Sequence, residues 1–413
     1  MRTHADPAAA LLTPEAVRER CGKVFDLALS GRTKHFDVDL ARLDVAAGLV
    51  VSEIRRNYPR GNVPLHSRWR HFELNGRDLW AEILAHHQPM APDALARARI
   101  DLAVISVLLD AGAGADWHYN DAPTELAIGR SEGLALASLR MFEAGLLSST
   151  PNEDPLRVDQ EKLENLKPEA LAHAFQATPQ NALPGIDLRT RLLNNLGRAL
   201  AAAPSVFAGN GSVRPGHIYD YLKSRSDAGG TVPARLILIT LLEHLGAAWP
   251  GARRFGDVVI ADAGDFPLLE LAGAADGIVP FHKLSQWLSY SLIEPLQEAG
   301  LTISNLDDLT GLAEYRNGGL FIDTRVLVLK DRSALDRAHD ATSELIVEWR
   351  ALTVALLDRL AVRVREMTGT DATSLPLGAV LQGGTWSAGR RIAADLRPGG
   401  PPPLTITTDG TLF

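Results

Sequence analysis

Val279-Pro-Phe-His-Lys-Leu-Ser-Gln-Trp-Leu-Ser-Tyr-Ser-Leu-Ile-Glu-Pro-Leu296, followed by Leu309-Thr-Gly-Leu-Ala-Glu-Tyr-Arg-Asn-Gly-Gly-Leu-Phe-Ile-Asp323, is the stretch on which the reading of this chain turns. At about 100° per residue, Phe281, Leu284, Leu288 and Leu292 align as an apolar stripe. Lys283, Gln286, Trp287 and Tyr290 gather on the opposite side at i, i+3, i+4 and i+7. A solvated helix face would carry several charges, whereas this one offers a single amine among an amide, an indole and a phenol. Two readings follow: a pocket wall for a planar polar ligand, or aromatics packed under a second layer with Lys283 reaching out to water.

Working outward, the pattern predicts a mainly α fold. A period near 3.6 residues marks helices at Pro14 to Leu29, Pro92 to Leu109, Ser131 to Leu146, Asp187 to Ala202 and Pro233 to Leu245. The longest candidate runs from Ser333 to Thr368. Strand signals are few and fall near the C-terminus: Gly319 to Leu329 alternates after Asn-Gly-Gly, and Leu404 to Thr408 follows a Gly-Gly-Pro-Pro-Pro hinge. Residues 1–413 read as one large, mostly helical domain or two closely packed lobes, with residues 397–413 forming the hinge and a terminal strand.

Composition narrows the function. A formal charge of −8 and a pI near 5.9 oppose nucleic acid as a partner, because phosphate backbones are held by clustered Lys and Arg. Cys21 is the only cysteine, so neither a disulfide framework nor a thiolate metal site is expected. No stretch approaches the roughly 20 apolar residues that span a bilayer, and the N-terminus lacks a signal-peptide core, so a cytoplasmic protein is expected. The histidines fall at no metal-ligand spacing, and there is no Walker loop, Gly-x-Ser-x-Gly elbow or His-Glu-x-x-His.

Four places carry chemistry. Arg68, Trp69 and His71 combine a guanidinium, an indole and an imidazole, suited either to an anionic group or to interlocking at a helix junction. Asp116 and Trp117 form a second polar-aromatic cluster, readable as a loop anchor or as a site. Ser131-Glu132-Gly133 opens a helix whose amides could face an anion or be capped by Ser131. Glu314, with Tyr315 and Arg316, is read in the last turn of a helix, against the negative end of its dipole, with Arg316 or Lys283 as compensating charge.

The segments Ser67-Arg-Trp-Arg-His-Phe-Glu73, Asp110-Ala-Gly-Ala-Gly-Ala-Asp-Trp117 and Arg130-Ser-Glu-Gly-Leu-Ala-Leu-Ala-Ser138, together with the two quoted above, resemble the uracil-catabolism proteins of the fungal Urc four and Urg three type. The resemblance runs from about Leu40 to Phe413 and implies a place in uracil degradation through a ribosylurea-type intermediate. More distantly, Phe281-His-Lys-Leu-Ser-Gln286 and Ala313-Glu-Tyr-Arg316 are similar to the Phe-Tyr-Lys-Arg-Ala-Gln helix and Ala-Asp-Tyr-Arg segment of queuosine-phosphate salvage N-glycosidases. That likeness implies a helical body related to helix-hairpin-helix DNA glycosylases, substrate binding by Lys283 and, for Glu314, the place of the family's catalytic Asp. Glu314 and Lys283 are thus the expected catalytic residues, and His282, Gln286, Trp287, Tyr290, Tyr315 and Arg316 are candidate binding residues. Arg68, Trp69, His71, Asp116 and Trp117 join them as candidate binding residues. Glu replaces the family's Asp and Asn-Gly-Gly replaces its Val-Pro.

The expected reaction is hydrolysis of the N-glycosidic bond of a ribosylurea or its phosphate, without metal or organic cofactor. A small ribosyl or nucleotide-derived substrate and association with other enzymes of uracil catabolism are the expected partners. Two alternatives stay open: a phosphoribosyltransferase, to which Leu306-Asp-Asp-Leu-Thr-Gly311 bears a superficial likeness without a preceding parallel strand, and a non-catalytic binding or scaffold protein.

Overall fold

The computed structural model describes residues 8–110, 112–114, 116–249, 252–269 and 277–407. Its principal helices are α1 (Pro14–Leu29), α2 (Leu43–Asn57), α3 (Pro92–Leu108), α4 (Arg130–Glu143), α5 (Ile186–Ala202), α6 (Ala234–Leu245), α7 (Lys283–Glu298), α8 (Tyr315–Asp323), α9 (Glu344–Thr368) and α10 (Trp386–Leu396). The chain is 56% helical, so the fold is mainly α. Among the described residues strands occur only as two-stranded pairs. These pairs are spread along the chain and are not confined to its C-terminal part, because most are hairpins or bridges tying loops together where neither periodicity nor length marks them in sequence.

Two compact units are formed. The first comprises the described residues within Met1–His66, Arg254–Gln286 and Asn305–Thr408. Its spine is α9, whose 25 residues reach about 37 Å at the usual helical rise. The helix begins at Glu344, not at Ser333: the intervening residues form a 3-10 turn at Arg332–Asp336 and a strand at Ala338–Asp340. It ends at Gly369, whose φ of +69° an L side chain would resist. Helices α1 and α2 pack on it, and α8 lies against α10. Helix α1 starts cleanly because Thr13 accepts from Ala16 N and Pro14 occupies the first turn.

A second departure concerns Gly319 to Leu329. The strand is only Leu327–Leu329, paired antiparallel with Phe36–Val38, and Asn317-Gly318-Gly319 lie inside α8. At the C-terminus, Thr405–Thr407 pairs in parallel with Ala338–Asp340 as the expected terminal strand; Thr408 and the rest of residues 408–413 lie outside the described residues, as do the N-terminal seven.

The second unit comprises the described residues within Ser67–Arg253 and Trp287–Ser304. Its centre is α3, buried along nearly its whole length from Ala96 to Leu108 and flanked by α4 and α5. After α3, Gly112–Gly114 are neither helix nor strand, while Ala111 and Ala115 lie outside the described residues. No helix among the described residues is long and apolar enough to cross a membrane.

Candidate active site

Glu314 belongs to the first unit and stands at the start of a helix, which corrects its expected place in a last turn. It is the N-cap of α8: Arg316 N donates to Oε2 at 2.8 Å and Asn317 N to Oε1 at 2.6 Å. The positive end of the helix dipole therefore supports its negative charge. Burial is what pushes its carboxyl above the ordinary glutamate range, while the two amides, Lys283 and Arg316 pull in the opposite direction. The residue as a whole nevertheless remains partly accessible.

Lys283 opens α7, and its charge acts on Glu314. Its backbone N–H donates to Asp262 Oδ2 at 2.9 Å. Asp262 in turn receives both guanidinium nitrogens of Arg350 at 2.8 Å, a bidentate pair that reaches the Glu314 segment through Arg350 Nε and Ala313 O at 3.3 Å. Burial opposes ionisation of Asp262, yet Arg350 and the Lys283 amide hold its carboxyl below the usual range. Asp262 and Arg350 are the members of this cluster that the sequence reading missed. Arg350 also lies 4.0 Å from the centre of the Phe281 ring.

Between strand Ile278–Pro280 and α7, His282 adopts φ +50° and is almost fully buried. Its Nε2 donates to Leu11 O at 2.9 Å; burial holds the imidazole below its ordinary pKa and hence neutral. The Oε1 of Gln286 accepts from Thr310 N at 3.2 Å, which leaves Nε2 as a buried donor without a protein partner. Tyr315 and Arg316 are partly exposed beside Glu314, with the guanidinium 5.0 Å from the Tyr315 ring centre.

The first turn of α7 counts with the first unit, and residues 287–298 with the second. Trp287 and Tyr290 are buried, as are Leu284, Leu288 and Leu292, so neither face of the helix is solvated. Within the second unit Arg68 is fully enclosed: Nη1 pairs with Asp110 at 3.0 Å, Nε donates to Ser106 Oγ at 2.7 Å, and Nη2 has no protein partner. Its guanidinium lies 5.5 Å from the Trp287 ring centre, and His71 meets the same indole edge-on at 5.9 Å. Trp69 donates to Ser291 O and packs on Arg99, Phe72 and Trp80. Trp117 donates to Phe175 O and stacks on Phe175, while Asp116 is exposed, its carbonyl facing the His118 ring. Ser131 lies inside α4 with its hydroxyl on Asp110, not at the cap.

The Leu306–Gly311 loop is structurally committed. Arg365 and Leu377 N occupy the Asp307 carboxylate, and Arg18 gathers the carbonyls of Asp307, Asp308 and Leu309. A short parallel strand does precede it, contrary to the sequence reading: Thr302–Ser304 pairs with Thr231–Pro233. No group of three or more His, Cys, Asp or Glu positioned to hold a metal occurs among the described residues.

The family model described as "Protein of unknown function (DUF1688)" matches residues 10–413. The chain belongs to this family. It is 37% identical to "Protein urg3" of Schizosaccharomyces pombe over 412 residues, covering 98% of each chain. It is also 37% identical to "Uracil catabolism protein 4" of Lachancea kluyveri over 445 residues, covering 99% of each.

Proposed function

We propose that this protein acts in uracil catabolism, hydrolysing the N-glycosidic bond of a ribosylurea or its sugar phosphate to release urea. The observation that carries the reading is the state of Glu314: a partly accessible residue whose carboxylate is fixed by two amides and acted on by the charge of Lys283. The pathway comes from the relative named for uracil catabolism. The kinship of the body to helical glycosylases belongs to the same proposal.

Cleavage of an N-glycoside builds positive charge on the anomeric carbon, so a fixed carboxylate nearby lowers the barrier electrostatically. Glu314 supplies that charge and accepts a proton from the attacking water. The C–N bond breaks with its electron pair going to the urea nitrogen, which takes up a proton from solvent while Glu314 returns to solvent the one it accepted, and the water oxygen becomes the new anomeric hydroxyl. Lys283 binds the anionic or hydroxylated part of the substrate and restrains the proton affinity of Glu314. Gln286 and Tyr315 are further binding residues in the first unit. Arg68, His71 and Trp287 form a basic-aromatic cluster of their own in the second unit, in which Asp110 already pairs the enclosed Arg68 guanidinium.

Purified protein incubated with ribosylurea and with its 5-phosphate is expected to release urea from one of them in the presence of a chelator. Binding measured by calorimetry without urea release would replace the hydrolase with a binding protein. Turnover dependent on magnesium and pyrophosphate would replace it with a transferase.

A further inference from the structure

The two amides that fix Glu314 come from Arg316 and Asn317, and one segment, residues 381–396, backs both of them. It opens with a π-turn, Leu381–Thr385, between the short helix Leu377–Val380 and α10. A π-turn re-aims the side chains that follow it and recurs at functional sites. Here it is pressed against α2 and the segment after it: a Cβ on Gly383 would lie 3.0 Å from Ile54 of α2 and 2.7 Å from Val63 beyond it, and one on Gly384 would overlap Val50 of α2.

The last residue of the π-turn, Thr385, is fully buried. Its hydroxyl donates to Asn317 Oδ1 at 2.8 Å, and Asn317 Nδ2 donates to Leu312 O at 3.1 Å. A carbonyl oxygen only accepts, so the amide has one possible orientation and Thr385 must be its donor. The N–H of the same Asn317 holds Glu314 Oε1 at 2.6 Å. One turn further on, Gly389 brings the backbone of α10 so close to Arg316 O that any Cβ would overlap it. The N–H of Arg316 holds the other oxygen of Glu314 at 2.8 Å.

We propose that Thr385 and Gly389 are positioning residues for Glu314, fixing through Asn317 and Arg316 the two hydrogen bonds that aim its carboxylate. The proposal deepens the reading of Glu314 as the catalytic carboxylate and rests on it. Neither positioning residue touches the substrate.

Thr385→Val keeps the volume and removes the hydroxyl, Thr385→Ser restores it, and Gly389→Ala displaces Arg316. After circular dichroism and melting establish folding, carbon-13 NMR titration follows the Glu314 carboxyl, assigned by its absence in Glu314→Gln. In Thr385→Val its midpoint is expected to rise by about one pH unit, as a loosened amide supports the anion less. The acid limb of urea release should move by the same amount, with kcat down roughly tenfold and KM little changed. Thr385→Ser should restore both, and Gly389→Ala should reproduce the rise. A folded Thr385→Val with a wild-type titration overturns the proposal. Should Thr385→Val fail to fold, an unchanged midpoint in folded Gly389→Ala overturns it equally. If the wild type releases no urea, the catalytic reading fails while the titration still decides the positioning.

Discussion

Asp101, in the second unit, sits at the meeting point of four hydrogen bonds: Val158 N and both Arg214 Nε and Nη2 reach Oδ2, and Gly216 N reaches Oδ1. Glu314, in the first unit, accepts two, both from the amides of its own helix. Burial raises the proton affinity of each, so the direction of the pKa does not tell them apart. Valence does. A carboxylate offers about four lone-pair directions; Asp101 receives four donors, three of them on Oδ2, and has no exposed surface, whereas Glu314 receives one donor on each oxygen and belongs to a residue that is partly accessible. The saturated carboxylate is a structural junction, and the half-saturated one can still receive a water or a sugar hydroxyl.

The sharpest way to break this contrast is to remove each charge in turn. Glu314→Gln is expected to lower kcat for urea release about 10³-fold, with melting close to wild type. Turnover near the wild-type rate would erase the distinction. Asp101→Asn should do the reverse: it leaves the Arg214 guanidinium buried with a weakened partner and costs about 3 kcal/mol of stability in denaturant titration. At a temperature where the variant is folded, its kcat should match wild type, and a parallel loss of kcat would show that Asp101 is more than a junction.

What the sequence conveyed about these two regions differs for physical reasons. Long helices with one-sided cores were readable: the expected limits Pro14 to Leu29 are those of α1, and Asp187 to Ala202 differs from α5 by one residue. The environment of Glu314 was not, because Asn317-Gly318-Gly319 has the composition of a turn yet forms the interior of α8. Gly318 is required there by packing, since a Cβ would come within 2.7 Å of Trp349, and tertiary contact overrides helix propensity. Asp262 stands 88 residues from Arg350, so their pairing has no local signature. One signal was available: Glu348 and Arg350 are charges set within the apolar run of α9, and both prove to be buried struts. Trp69 and Trp117 were legible as aromatic clusters, but their indoles bond to backbone carbonyls in the core, which spacing alone does not disclose.

A finer test of the half-saturated state removes its neighbouring amine. Lys283→Met deletes a charge that draws the Glu314 carboxyl down, so the acid limb of the pH profile should move upward. KM should rise about tenfold, near 1.4 kcal/mol of binding. An unchanged acid limb would mean that Lys283 and Glu314 do not act together.

The smallest effect expected is thermodynamic, and its sign follows from linkage. The folded-state pKa of Glu314 is raised above the ordinary value of 4.5, so across the interval above that value the native state binds more protons than the unfolded chain. Its contribution to stability is therefore fully present below the ordinary glutamate range and is lost as pH rises through the folded-state titration. Glu314→Gln has no proton to bind there. The unfolding free energy of wild type minus that of the variant should consequently fall as pH increases from 4 toward neutrality, measured by denaturant titration at several pH values. A difference that rises with pH would mean that the two amides outweigh burial, and Glu314 would then be held as a saturated anion of the Asp101 kind, with no spare valence for catalysis.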